Sequence, residues 1–132
     1  MKADRVKIAE LHAKGFSCAQ VVAFMCRDVS GVDEKTALAA MGGFGGGLRC
    51  GEVCGAVCGA VYSLGMTMPY DDEHDTAAKE KIAEKTICLT DKFRDQYGAL
   101  TCRELLASRG RANCEELMAG AVELLHEIIE GE

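Results

Sequence analysis

Apolar residues along this chain recur at intervals of three and four and nowhere alternate, a pattern of helices without strands. Val6, Ile8, Ala9 and Ala13 predict a short first helix that Gly15 ends. Ser17 opens a second, with Cys18, Val21, Val22, Met25 and Val29 inward and Gly31 as its stop. Asp33 caps a third through Lys35–Met41, and Gly42-Gly43-Phe44-Gly45-Gly46-Gly47 follows as the least helical stretch. The next helix holds Cys54, Val57, Val61 and Leu64, with Gly55 and Gly59 four apart and Pro69 at its end. Pro69-Tyr70-Asp71-Asp72 turns into the longest helix, which places Ala78, Ile82, Leu89, Phe93 and Tyr97 on one side before Gly98. A short helix follows from Thr101. The last, from Asn113, carries the stripe Leu117, Met118, Ala121, Val122, Leu125, Ile128 and Ile129. The expected fold is all-α: one domain over residues 1–132, a compact irregular bundle of about six or seven helices with a Gly-rich loop.

Three of these helix starts share a local pattern: Ser17-Cys18-Ala19-Gln20, Thr101-Cys102-Arg103-Glu104 and Asn113-Cys114-Glu115-Glu116. Ser, Thr and Asn are preferred N-caps, and Gln or Glu three residues later closes a capping box. Each cysteine is thereby expected at the first helical position, where free N–H groups and the helix dipole favour a thiolate. Cys54 reaches a similar place by following the glycine-rich turn. If the four starts converge, each contributes roughly +0.5 charge, about +2 in all. That would offset the charge of a divalent metal, or of an oxidised two-iron cluster, held by four thiolates.

Composition narrows the function classes. Hydrophobic residues make up 48%, aromatics only 5%, and there is no Trp, so small residues must provide close helix packing. The formal net charge is -6 without a Lys/Arg cluster, which disfavours nucleic acid. The weakly polar run from Val53 to Pro69 is shorter than the roughly 20 residues of a membrane span, so no membrane span is expected. The charged start Met1-Lys2-Ala3-Asp4-Arg5 has no apolar segment behind it, so the expected location is cytoplasmic. In a reducing cytosol, eight cysteines suggest metal or catalytic roles over structural disulfides.

Other signatures are missing or weak. There is no Cys-x-x-Cys and no Walker lysine, and the glycine run follows a helix instead of a strand. Its glycines Gly45, Gly46 and Gly47, with Gly55, are expected to let backbone approach another helix or a bound cofactor. Cys26, Cys58 and Cys88 fall among apolar neighbours and read as small hydrophobes, although Cys50, Cys54 and Cys58 recur every four residues. His12, His74 and His126 read as solvated side chains. Arg49 and Arg103 adjoin cysteines, but sequence neighbours on a helix do not face one another. The acidic run Asp71, Asp72 and Glu73 suits a helix start for dipole reasons alone.

The ordered motifs Ser17-Cys18-Ala19-Gln20-Val21-Val22, Gly43-Phe44-Gly45-Gly46-Gly47, Cys54-Gly55-Ala56-Val57-Cys58-Gly59, Cys102-Arg103-Glu104-Leu105-Leu106 and Cys114 resemble the C_GCAxxG_C_C family of redox-active proteins. The resemblance spans nearly the whole chain and implies that Cys18, Cys54, Cys102 and Cys114 are the family cysteines. The family is also similar to a segment of split-Soret cytochromes, which implies iron–sulfur chemistry. Cys26, Cys50, Cys58 and Cys88 are additions to the pattern, and the stretch from Leu106 to Cys114 is short for it. Three readings stay open. In the first, Cys18, Cys54, Cys102 and Cys114 bind a metal centre, an iron–sulfur cluster above all, and pass electrons to a redox partner protein. In the second, an enzyme-like thiol–disulfide or peroxide-handling protein uses Cys54 as nucleophile, with Cys18, Cys50, Cys58 or Cys102 resolving. In the third, a structural zinc site supports an interaction role. The glycines four apart also permit a homodimer.

Overall fold

The computed structural model describes residues 1–131, and among them the chain forms eight α-helices and no β-strand. They are α1 (Arg5–Ala13), α2 (Cys18–Met25), α3 (Arg27–Ser30), α4 (Glu34–Ala40), α5 (Gly55–Thr67), α6 (Thr76–Tyr97), α7 (Cys102–Arg109) and α8 (Cys114–Glu130). The second expected helix is two: the backbone at Cys26 turns to φ -93° and ψ 10°, separating α2 from the single turn of α3. Cys26 is fully buried at this kink, and Gly31 closes α3 in the left-handed conformation.

The centre of the bundle is α8, which α1, α2, α5 and α6 contact. Ala119, Gly120, Leu124 and His126 are buried along with the expected stripe, of which Ile129 is half-buried. His126 is one correction of the sequence reading. It is buried, its Nε2 lies 2.7 Å from Asp28 Oδ2, and its Nδ1 lies 2.8 Å from the Val122 carbonyl, tying α8 to α3. Across the bundle, Arg5 pairs with Glu116 at 2.9 Å and the Ala3 N–H donates to Glu123 at 2.8 Å. The ring of Tyr97 stacks 4.8 Å from Phe93 and lies directly over Gly120.

The pairing of α2 with α5 is what positions the cysteines. A Cβ on Gly59 would sit 2.7 Å from the Ala19 carbonyl, and one on Gly55 would sit 2.5 Å from the Cys18 sulfur. Only glycine at both positions lets the two backbones come this close. The close contact that Gly55 and Gly59 permit is therefore realised inside this chain.

Gly120→Ala puts a methyl group into the Tyr97 ring. The expected loss is about 2 kcal/mol in chemical denaturation, the scale of overpacking in a filled core. Gly65→Ala, which meets no atom within 4 Å, serves as the helix-glycine control and is expected to leave stability unchanged or higher.

Candidate functional site

The four cysteines that sequence singled out lie at four helix starts gathered at one end of the bundle. Cys18, Cys102 and Cys114 are the first residues of α2, α7 and α8. Cys54 differs from expectation by one position, being the N-cap of α5. The caps behind them differ in kind. Ser17 forms the full capping box: its hydroxyl accepts from the Gln20 N–H and the Gln20 amide oxygen accepts from its own N–H. Thr101 accepts from the Glu104 N–H, while its hydroxyl donates to the Glu104 carboxylate at 2.8 Å. Asn113 does not cap α8. Its amide nitrogen donates backward to the Arg109 carbonyl at 2.7 Å, because the preceding 3₁₀ turn at Arg111–Asn113 leaves its side chain behind the helix start.

A short antiparallel bridge between Val53 and Thr101 aligns two of these starts. Within it the Cys54 N–H donates to the Leu100 carbonyl at 2.9 Å and the Cys102 N–H to the Glu52 carbonyl at 2.7 Å. Before it, Gly46, Gly47, Leu48 and Arg49 adopt positive φ in succession, a left-handed turn closed by the Glu52 N–H on the Gly47 carbonyl at 2.9 Å. Leu48 and Arg49 do so without being glycine, a strain of about 1–3 kcal/mol each. The turn holds the Arg49 side chain beside the Cys18 helix start, where its guanidinium donates to the Gly42 carbonyl at 2.8 Å.

Cys18 and Cys54 form the chemical pair. The Cys18 sulfur lies against Gly55, the residue after Cys54, and the Cys54 thiol together with the N–H groups of Gly46, Ala19 and Cys18 itself favours its charged form. These donors outweigh burial and lower the Cys18 thiol to about 6. Cys54 moves the opposite way: the adjacent Cys18 sulfur and burial raise it, opposed by the N–H groups of Ala56 and Val57. Burial raises Cys102 and Cys114, the Cys18 charge adds to this, and Arg111 opposes it at both. Cys58 is likewise raised by burial and by Cys18. Cys26 is pushed up to about 12 by burial, with Asp28 adding, and it stays a core thiol. Cys50 is exposed, and its carbonyl accepts from Arg103 at 3.0 Å.

Cys18, Cys102 and Cys114 line one cavity of about 320 Å³, with Cys54 buried beside Cys18. Of the glycines expected near a bound cofactor, Gly46 lines this cavity. Gly45 instead packs on Ser17, where a Cβ would come 2.5 Å from the Ser17 Cβ, Gly47 sits inside the left-handed turn against the Glu52 backbone, and Gly55 lies under Cys18. Sequence missed Arg111, which its place in a polar turn did not distinguish, and it read His12 as solvated. His12 also lines the cavity and pairs with Glu115 at 2.7 Å. Both meet the cysteines only through folding, so no local signal marked them.

A structural zinc needs four ligand atoms about 2.0–2.3 Å from one point. Among the described residues no three of Cys, His, Asp and Glu are grouped tightly enough to hold a single ion.

The sequence model of a protein family described as "Putative redox-active protein (C_GCAxxG_C_C)" matches residues 16–128. No curated protein and no solved structure matches the chain. No helix among the described residues is long and apolar enough to cross a membrane.

Alkylation of Cys18 by iodoacetamide is expected to follow the thiolate fraction. The rate should be level above pH 7, halve near pH 6 and fall about tenfold per unit below, because a lowered thiol is lost by protonation only as pH drops through its shifted value. Cys54→Ala removes the principal donor and should move the midpoint upward, read site by site by mass spectrometry.

Proposed function

Because this chain belongs to the C_GCAxxG_C_C family of redox-active proteins, we propose that it is a dithiol–disulfide redox protein with Cys18 as nucleophile and Cys54 as proton donor and resolving thiol. The observation that carries this reading is the close approach of the Cys18 sulfur to Gly55, which sets the helix starts of Cys18 and Cys54 side by side. In this proposal Cys18 takes the nucleophile's part that one of the sequence readings gave to Cys54.

The chemistry follows from the charges. The Cys18 thiolate attacks one sulfur of a substrate disulfide, forming a new S–S bond as the substrate's own S–S bond breaks. The leaving thiolate takes the proton of Cys54. Cys54 gave up that proton reluctantly only while a negative sulfur stood beside it, and the mixed disulfide has removed that charge. The new Cys54 thiolate, stabilised by the Ala56 and Val57 N–H groups, attacks the Cys18 sulfur. A Cys18–Cys54 disulfide forms and the second substrate thiolate departs. Two electrons have passed from the pair to the substrate, and the reverse sequence oxidises a dithiol.

An iron–sulfur centre is the second reading, favoured by the three cysteines around one cavity. Cys18, Cys54, Cys102 and Cys114 would hold it, and it would supply one-electron transfer to a partner protein.

In the dithiol reading, Cys18→Ser abolishes reduction of small disulfides. Cys54→Ser still attacks but stops at the mixed disulfide, visible as an added substrate mass, while Cys26→Ser and Cys88→Ser keep the wild-type rate. Anaerobic purification without chelator decides between the readings. Metal-free protein with disulfide-reducing activity supports the first. Stoichiometric iron and sulfide with a visible band, lost in all four family-cysteine variants, overturns it for the second.

A further inference from the structure

The cavity that Cys18 opens onto is cationic in an acidic protein. The chain carries 21 Asp and Glu residues against 15 Lys and Arg, yet none of the residues lining this cavity is acidic. Arg49, Arg111 and His12 line it instead, the last paired with Glu115 outside. The first residues of α2, α7 and α8 also line it, so three helix N-termini add their partial positive charge. The strained left-handed backbone at Arg49 sets one guanidinium beside the Cys18 helix start. Arg111 follows Gly110, whose φ of 76° turns the chain so that the 3₁₀ residues flank Cys102 and Cys114.

We infer that Arg49 and Arg111 are specificity-determining residues, and that the cavity takes small anionic disulfides whose flanking groups carry carboxylates. A volume of about 320 Å³ admits a small molecule, and a disulfide with carboxylates two or three bonds from sulfur can meet a guanidinium while its sulfur reaches Cys18. The Cys18 thiolate alone would repel such a substrate, and the two arginines offset that repulsion. This rests on the nucleophilic role of Cys18 for its substrate class, but the anion preference itself does not depend on disulfide chemistry.

The test therefore has two arms. In the first, Cys18 is alkylated by iodoacetate and by iodoacetamide, and the ratio of rates is divided by that for 2-mercaptoethanol. The normalised ratio is expected to favour the anion by about tenfold at low salt and to shrink as salt rises. Arg111→Gln and Arg49→Gln should each lower it about threefold, while Arg111→Lys retains it. Arg111 is exposed on a turn, so its variants test the idea even if changes at strained Arg49 unfold the loop. In the second arm, dithiodiglycolate, hydroxyethyl disulfide and cystamine compete as oxidants of the reduced protein, with the anionic one expected fastest. A normalised ratio at or below one, or one indifferent to Arg111→Gln and salt, overturns the inference. An anionic preference in alkylation with no reaction of any disulfide keeps the anion site and removes the dithiol function. Brisk disulfide reduction that ignores charge does the reverse.

Discussion

Everything at the cysteine end of this molecule depends on how closely α2 and α5 cross. With any side chain at Gly55 or Gly59, the α5 backbone would stand off from Ala19 and from the Cys18 sulfur, and Cys54 would withdraw with it. The closeness of the two cysteines is a consequence of that crossing, and so is the burial of Cys54. Few aromatics and many small residues are thus part of the chemistry, because bulkier packing would separate the pair. The capping box at Ser17 and the Val53–Thr101 bridge then fix the helix ends against one another.

Within that frame, polarity is assigned by backbone. Cys18 stands at a helix start that opens on a cavity, where neighbouring N–H groups and the Cys54 thiol favour its charge, whereas Cys54 is buried beside that charge. The two sulfurs therefore divide into a thiolate and a proton donor although both stand at helix starts. Cys102 and Cys114, held across the cavity, feel the Cys18 charge and remain protonated more readily. One thiolate among four thiols at neutral pH is the arrangement a nucleophile with local proton donors requires.

Much of this was legible in the chain. The helix stops at Gly31 and Gly98 and the Ser17 box are local signals, and local physics decides them. The expected all-α bundle holds among the described residues. Elsewhere tertiary contacts decided. The break at Cys26 interrupts a continuous apolar pattern to let α3 lie on α5. Asn113 had the composition of a cap, but the turn before it sent its amide to Arg109. His126 sits on a helix whose burial on several sides no stripe announces, and its partner is 98 residues away. Arg111 and His12 join the cavity from different segments, so spacing along the chain could not place them beside Cys18.

The central claim is that Cys18 and Cys54 are one two-electron couple. It is tested most directly by equilibrating the protein anaerobically in glutathione buffers of graded potential, quenching with an alkylating reagent, and mapping the protected cysteines by mass. The account predicts a single transition in which two alkyl groups are lost together, one at Cys18 and one at Cys54, with Cys26 and Cys88 unchanged. Cys18 remaining alkylated across the series while Cys54 pairs with another cysteine, or no paired loss at any potential, would contradict it.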